Sequence, residues 1–490
     1  MLVTAVTLLN SVNLPVSDSM TDALAYARDH ADAFVAQLTD WLRIPSVSTD
    51  AAHDGDTRRA AEWLAADLRR IGMPTVEILE TGTPDSPGHP VVYAETATRA
   101  GAPTVLVYGH YDVQPPDPLE LWTSPPFEPV VVNGDLVARG SADDKGQAFM
   151  HVKALEAYLA AGGGPPVNVK LMIEGEEENG SVHLVPFIEA NKERLAADVV
   201  LISDTSLFAA GVPSLTVGLR GLAYVEVTYT GPARDLHSGV YGGAVENPAN
   251  ALARTIAGLH DADHRVTVEG FYDAVRDLTP GERAEYARLP FDEAAWRDEA
   301  GVKEAKTEAG FSVLEATSGR PTLDVNGIWG GYTGQGAKTV LPSRASAKIS
   351  CRLVADQTPA DITAKLRAHF EKTLPGTMTL TFTDLHGGHG VLVDTSAPAM
   401  QAASEALEGV FGQKPLYTRE GGSIPVVADF KRLLGLDSVL MGFGLDSDAI
   451  HSPNEKFGLD RFHQGIEASI RFLDAYGRMA PGALSPTDHV

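Results

Sequence analysis

The sequence predicts an α/β fold: a mixed sheet flanked by helices, interrupted by an inserted, smaller α+β domain. Two patterns carry that expectation. Short, continuously apolar runs alternate with amphipathic helical stretches towards both ends of the chain, as strands covered on both faces require. In the middle, apolar and polar residues alternate strictly, as half-exposed strands require. The 490 residues suit two or three domains, and a composition of 44% hydrophobic and 21% charged residues can fill their cores.

Taken in order, residues 1–19 are mildly apolar, but no Lys or Arg precedes the apolar stretch, so they read as an N-terminal tail and not as a secretory leader. The first part of the larger domain is expected over 20–215. It opens with the helical stretch MTDALAYARDHADAF from Met20, and TVLVY (104–108) reads as a strand. A helix follows with Ala148, Val152, Leu155 and Leu159 on one face, stopped at Gly162. VNVKLMI (167–173) and VVLIS (199–203) are further strands.

The inserted domain is expected over 216–384. LAYVEVTY (222–229) and MTLTF (378–382) alternate, and ASAKISCRLV (345–354) sets Ala347, Ile349, Cys351 and Leu353 against Lys348, Ser350 and Arg352. Thr358 fits an N-cap, Pro359 the first turn, and Ile362, Leu366 and Phe370 a buried stripe. Residues 260–325 are polar and helix-prone, with no legible function. The larger domain resumes over 385–490 with the strand SVLMG (438–442) and a helix carrying Phe462, Ile466, Ile470 and Leu473 on one face.

Acidic residues outnumber basic ones 65 to 39, a net charge of −26 that repels nucleic acid and anionic membrane. No apolar run approaches the roughly 20 residues that span a bilayer. The single cysteine, Cys351, excludes an intramolecular disulfide and a Cys-rich zinc module, and suits a reducing cytoplasm.

The chemistry lies where the apolar strands stop. TVLVY leads into His110 and Asp112, VNVKLMI into Glu174 to Glu178, VVLIS into Asp204, and SVLMG through a loop into His451. Open α/β sheets bind ligands beyond the carboxyl ends of their strands. Asp143 adds a carboxylate just before the first helix, where a structural reading, charge at a helix N-terminus, competes; Asp144 is read as structural. Imidazole and carboxylate donors without thiolate suit zinc, manganese or cobalt. Such a set exceeds the needs of one tetrahedral ion but suits two ions sharing a carboxylate. Glu177, beside Glu178, has the chemistry of a general base. Gly331 to Thr339 superficially suggests a phosphate loop, but Ala337 separates Gly336 from Lys338 and the motif fails.

GHYDVQP (109–115), RGSADDKG (139–146), EGEEENGS (174–181), ISDTS (202–206), DLHSGVYGG (235–243), GAKTVLP (336–342), REGGSIPV (419–426) and HSPNEK (451–456) occur in this order. Together they resemble the dinuclear metallopeptidase family of carnosinases, cytosolic nonspecific dipeptidases, aminoacylases and glutamate carboxypeptidase, with the nonspecific dipeptidases the nearest branch. The resemblance runs through nearly the whole chain from about Met20. It implies that His110 and Asp204 bind one ion, Glu178 and His451 another, with Asp143 bridging. Two divalent ions per subunit are implied, zinc first and manganese as the alternative. Glu177 would be the general base and Asp112 the partner orienting His110. His237 would stabilise the oxyanion across a homodimer and Thr339 would cross to the same site. Arg352, helped by Ser423, would hold the substrate's free carboxylate, which agrees with its place on a polar strand face. The inserted domain would be the lid and dimerisation domain, and the larger one catalytic.

The reading is thus a cytoplasmic, metal-dependent dipeptidase acting as a homodimer on dipeptides. One rival, an N-acyl amino acid deacylase, keeps the same site. Another, a metal-dependent peptide-binding protein without turnover, has no use for Glu177.

Overall fold

The computed structural model describes residues 18–422 and 424–478; residues 1–17 of the expected tail, and Ser423, lie outside them. The chain forms two compact units. One comprises the chain up to Asp204, Gln401–Gln413 and the chain from Gly442 on; the other comprises Thr205–Met400 and Lys414–Met441. The expected domain edges stood near 216 and 384. The second unit therefore takes in strand Ser214–Leu219 and its parallel partner Leu416–Glu420 as well.

In the first unit, strands β1 (Thr75–Leu79), β2 (Val91–Glu95), β3 (Thr104–His110), β4 (Asn168–Glu174) and β5 (Val199–Ile202) follow the order β1-β2-β4-β3-β5. β1, β2 and β4 pair antiparallel, whereas β3 runs parallel to both β4 and β5, so the sheet is mixed. Helices α1 (Asp18–Asp29), α2 (Ala31–Leu42), α3 (Asp54–Arg70) and α4 (Lys145–Ala160) accompany it, with a C-terminal helix Leu459–Gly477. α3 packs on β1 and β2, and α4 on β3.

The expected single apolar face of α4 understates its environment. Packed against β3, α1, α2 and the C-terminal helix, it is buried from Lys145 to Tyr158, while Leu159, expected inside, is only half-buried. Enclosure forces its polar residues to find partners. Lys153 Nζ donates to Gln37 Oε1 (2.7 Å), Asp67 Oδ2 (2.8 Å) and Glu156 Oε2 (2.7 Å). Phe149 is fully buried against Trp41 and Trp63 at centroid distances of 5.6 and 5.7 Å. Burial of such a ring is worth about 1.5–3 kcal/mol.

In the second unit, β6 (Gly221–Thr230), β7 (Thr322–Gly330), β8 (Arg344–Leu353) and β9 (Thr379–Gly388) form an antiparallel sheet in the order β7-β8-β6-β9. Burial along β6 alternates residue by residue. The inward face of β8, Ala347, Ile349, Cys351 and Leu353, meets α5 (Pro248–Ala257) and α6 (Pro359–Thr373) in one core. Burial pushes the Cys351 thiol up, so it stays neutral and inert. The α6 cap matches the sequence reading: Thr358 accepts from the Asp361 amide, and Ile362, Leu366 and Phe370 are buried. The polar stretch 260–325 supplies two short helices, Pro280–Arg288, opened by a Thr279/Glu282 capping box, and Glu293–Ala300. Among the described residues, no helix is long and apolar enough to cross a membrane.

Candidate metal centre

The register of the first sheet assembles the site. β3 and β4 run parallel with His110 opposite Glu174, and Tyr108 lies opposite Ile202 on β5. Three neighbouring strands therefore stop at one edge. Asp112, Glu177, Glu178 and Asp204 follow within a few residues of those ends, where loops are free to turn their side chains inward.

His110 Nε2 lies 3.1 Å from Asp143 Oδ1 and 3.9 Å from Asp204 Oδ2. His451 Nε2 lies 2.8 Å from Asp143 Oδ2 and 3.3 Å from Glu178 Oε2. The result is two triads, His110–Asp143–Asp204 and Asp143–Glu178–His451, each with one donor atom per residue inside a 4.8 Å cluster. Asp143 belongs to both, one carboxylate oxygen towards each imidazole. His110 is wholly buried, whereas the His451 side chain is 54% exposed, so the site opens on the His451 side.

The surroundings hold this geometry. His110 Nδ1 faces the Asp112 carbonyl at 3.1 Å and Asp112 Oδ1 at 3.3 Å. A proton on Nδ1 donates there and turns the Nε2 lone pair towards Asp143 and Asp204. Asp112 does more than orient the ring: it also accepts the backbone N–H groups of Glu177 (3.2 Å) and Glu178 (3.0 Å) and the Ser48 hydroxyl (2.6 Å). Gln114 Nε2 donates to Glu178 Oε2 at 2.7 Å. In the acidic run, Glu174 accepts from Tyr108 and Ser181, and Glu176 from the His89 amide and from His183. Those two are structural, and Glu177 and Glu178 face the site. On the far side, Ala449, His451 and Asn454 have φ of 56°, 60° and 66°. The left-handed region is costly for Ala and His, and a loop keeps it only where other contacts over-determine the backbone.

Charge decides what the site suits. The carboxylates of Asp112, Asp143, Asp144, Glu177, Glu178 and Asp204 outnumber its two imidazoles. Hydrogen bonds to Asp143 and then Glu178 push His451 up to about 10. His110 is raised as well: burial pulls it down, but Asp112 and Asp143 outweigh that. Burial, together with the neighbouring carboxylates, raises Glu177 and Asp144. Protons are thus drawn in to offset negative charge, the role that a divalent cation fills when bound, and the donor set fits such ions.

Of the remaining sequence candidates, His237, Thr339 and Arg352 lie in the second unit and belong to neither triad. His237 and Thr339 are both exposed and are neighbours: Leu236–His237 pairs antiparallel with Val340–Leu341, and the Ser238 amide donates to the Thr339 carbonyl at 3.1 Å. Arg352 is half-buried on the polar face of β8, opposite Leu222 and Thr322. Ser423 lies outside the described residues.

Sequence reasoning missed two groups. Arg220 stands close enough to Arg352 that burial and then that like charge pull it down to about 10, and its Nε donates to the Gly421 carbonyl at 3.2 Å. Glu455 is fully buried beneath the Asp143 loop. Its only signal was its place in HSPNEK, four residues after His451.

The profile of Peptidase family M20/M25/M40 matches residues 106–475. A Cys-Gly metallodipeptidase of Schizosaccharomyces pombe is 32% identical over 461 residues, covering 92% of this chain and 97% of that protein. A Beta-Ala-His dipeptidase of Homo sapiens is 31% identical over 458 residues, covering 91% and 90%. The crystal structure of an M20 family metallo-carboxypeptidase from Sulfolobus solfataricus superposes with a TM-score of 0.79 at 34% identity, covering 91% of this chain and 99% of that one.

Proposed function

Because the chain belongs to peptidase family M20/M25/M40, we propose that it is a metal-dependent dipeptidase, hydrolysing the peptide bond of dipeptides that carry a free C-terminal carboxylate. The carrying observation is the Asp143 carboxylate lying between His110 and His451, with Asp204 and Glu178 completing the two triads. His110 and Asp204 would hold one divalent ion and Glu178 and His451 the other, with Asp143 as the carboxylate common to both sets. Zinc is the first choice and manganese the alternative. Once bound, the pair supplies Lewis-acid polarisation of the carbonyl and an acidified water.

The chain's own residues do the rest. Glu177 takes the proton of the attacking water and delivers it to the leaving amine. A carboxyl adjacent to Glu178 and close to Asp143 and Asp204 suits a group that carries that proton from water to amine. Asp112 keeps the His110 ring and the Glu177–Glu178 backbone in place. Arg352, with the Arg220 charge nearby, suits a carboxylate, with Ser423 as a further donor. His237 from a second copy donates to the oxyanion, and Thr339, its neighbour, enters the same site.

A homodimer, formed through the inserted domain over 216–384 acting as lid, is part of this reading. Among the described residues, no strand pairs with the outer edge of β7, and that strand exposes Ile328 (56%) and Trp329 (44%). Unpaired edges with exposed apolar residues favour association. The single cysteine, buried at Cys351, supports a cytoplasmic setting.

The test is a hydrolysis panel on metal-stripped protein reloaded with zinc or manganese. It compares dipeptides, longer peptides and N-acetylated single amino acids, with Glu177→Ala as control. Turnover of free dipeptides, lost without metal and in the control, is expected. Preference for acetylated amino acids moves the enzyme to the deacylase class, and preference for longer peptides to a carboxypeptidase.

A further inference from the structure

The segment 451–456 carries more than His451. Glu455 is wholly buried, and both of its oxygens accept twice. Oε2 takes the Arg139 guanidinium at 2.7 Å and the Gly140 amide at 2.9 Å; Oε1 takes the Ala142 amide at 2.9 Å and the Asp143 amide at 3.1 Å. The Glu455 carbonyl accepts from the Ala138 amide at 3.0 Å. The same segment is anchored on both sides. Asn454 accepts from Thr123 and donates to the Leu121 carbonyl, and Lys456 pairs with Asp135 at 2.6 Å.

A carboxylate that gathers three amides of one loop and a guanidinium sets the path of that loop, and so the direction in which Asp143 leaves it. Four residues before Glu455, on its own segment, His451 meets that same Asp143. We infer that Glu455 is a positioning residue that presets Asp143 against His451 before any ion arrives, and thereby sets the affinity of the shared site. The inference rests on the metal reading above. Glutamine cannot replace Glu455, because in either flip its amide –NH2 faces two N–H donors. Partners of this kind behind a ligand are worth about 10–100-fold in metal affinity.

The experiment titrates metal-stripped wild type, Glu455→Gln and Lys456→Ala with zinc against a chromophoric chelator, and records the visible spectrum of each with cobalt. Lys456→Ala removes an anchor of the segment but touches neither Asp143 nor its loop. Wild type and Lys456→Ala are expected to bind two equivalents alike. Glu455→Gln is expected to bind at least one of them about 10–100-fold more weakly, with a changed cobalt spectrum. Hydrogen exchange on the metal-free wild type adds a readout that needs no variant: the amides of 140–143 are expected to be protected already.

A folded Glu455→Gln with wild-type affinity and spectrum overturns the inference. So do 140–143 amides that become protected only when metal is added, and that measurement decides alone if Glu455→Gln does not fold. Wild type that binds no metal at all instead overturns the metal reading on which the inference rests.

Discussion

The triads around Asp143 and the candidates on the second unit are built in opposite ways. Around Asp143, three of the five ligand-type side chains are buried or nearly so and visibly braced: His110 by Asp112, Glu178 by Gln114, and Asp143 through its amide by Glu455. His237 and Thr339 are exposed, and His237 uses its Nδ1 only to accept the Gly239 amide beside it at 3.0 Å. A buried cluster of like charges has to be shaped by the fold, since each unbraced carboxylate there costs several kcal/mol. An exposed imidazole carries no such cost and is available for something that arrives later. The ligand-type side chains that the chain gathers by itself therefore lie in the first unit. The exposed candidates of the second unit are those for which the proposed function invokes a substrate or another copy.

The largest effect should come from the first group. Glu177→Gln is expected to lower kcat by about a hundred- to ten-thousandfold while two equivalents of metal still bind, measured by steady-state kinetics alongside metal analysis. Loss of metal from that variant would make Glu177 a ligand and not a base.

Next comes the test of the second copy. His237→Ala is expected to lose about a hundred- to a thousandfold in kcat, the usual weight of an oxyanion donor. Mixing it with Glu177→Ala protein and allowing subunits to exchange should restore activity, because one copy then supplies the base and the other the imidazole. If the mixture stays as inactive as its components, His237 does not act across copies and the comparison above loses its second half.

Arg352→Met should act on binding. A charge-assisted pair is worth about 1.5–3 kcal/mol, so kcat/KM for dipeptides should fall by roughly 10–150-fold. Dipeptide amides, which lack the carboxylate, should be little affected. An equal loss on both substrates would assign Arg352 to the structure of β8.

The last effect touches stability within the first unit and leaves the chemistry alone. Burial pulls His151 down to about 4, and its ring lies between Ser203 Oγ (2.9 Å) and Ser469 Oγ (3.0 Å). The unfolded chain takes up a proton near the ordinary value of about 6.5, but the folded one does not until about 4. Stability from this residue is therefore full above the ordinary value and is lost as pH falls through that window, by an amount on the order of 3 kcal/mol. His151→Gln should flatten the fall in Tm between those two pH values. An unchanged acid slope would mean that other groups govern acid unfolding.

Much of this was written locally. Strand ends at His110, Glu174 and Ile202 follow from apolar runs, the α6 cap from Thr358 and Pro359, and the inward face of β8 from strict alternation, because each depends on neighbours within one or two turns of chain. Arrangements that join distant positions were not legible. The burial of α4 on all sides, which turns Lys153 inward onto Asp67, needs three other helices in place. Arg220 beside Arg352 needs β6 to pair antiparallel with β8, and the Leu236–His237/Val340–Leu341 pair joins positions about a hundred residues apart. Glu455 shows the division most sharply. Its residue type and its distance from His451 were visible in HSPNEK, yet a buried carboxylate is defined by the donors it meets, and Arg139, Gly140, Ala142 and Asp143 lie more than three hundred residues earlier. Sequence by itself determined where the apolar strands stop and which ligand-type side chains follow them, since residue type and periodicity are local. Tertiary structure alone decided how they are held, because hydrogen bonds act over about 3 Å in space whatever their separation along the chain.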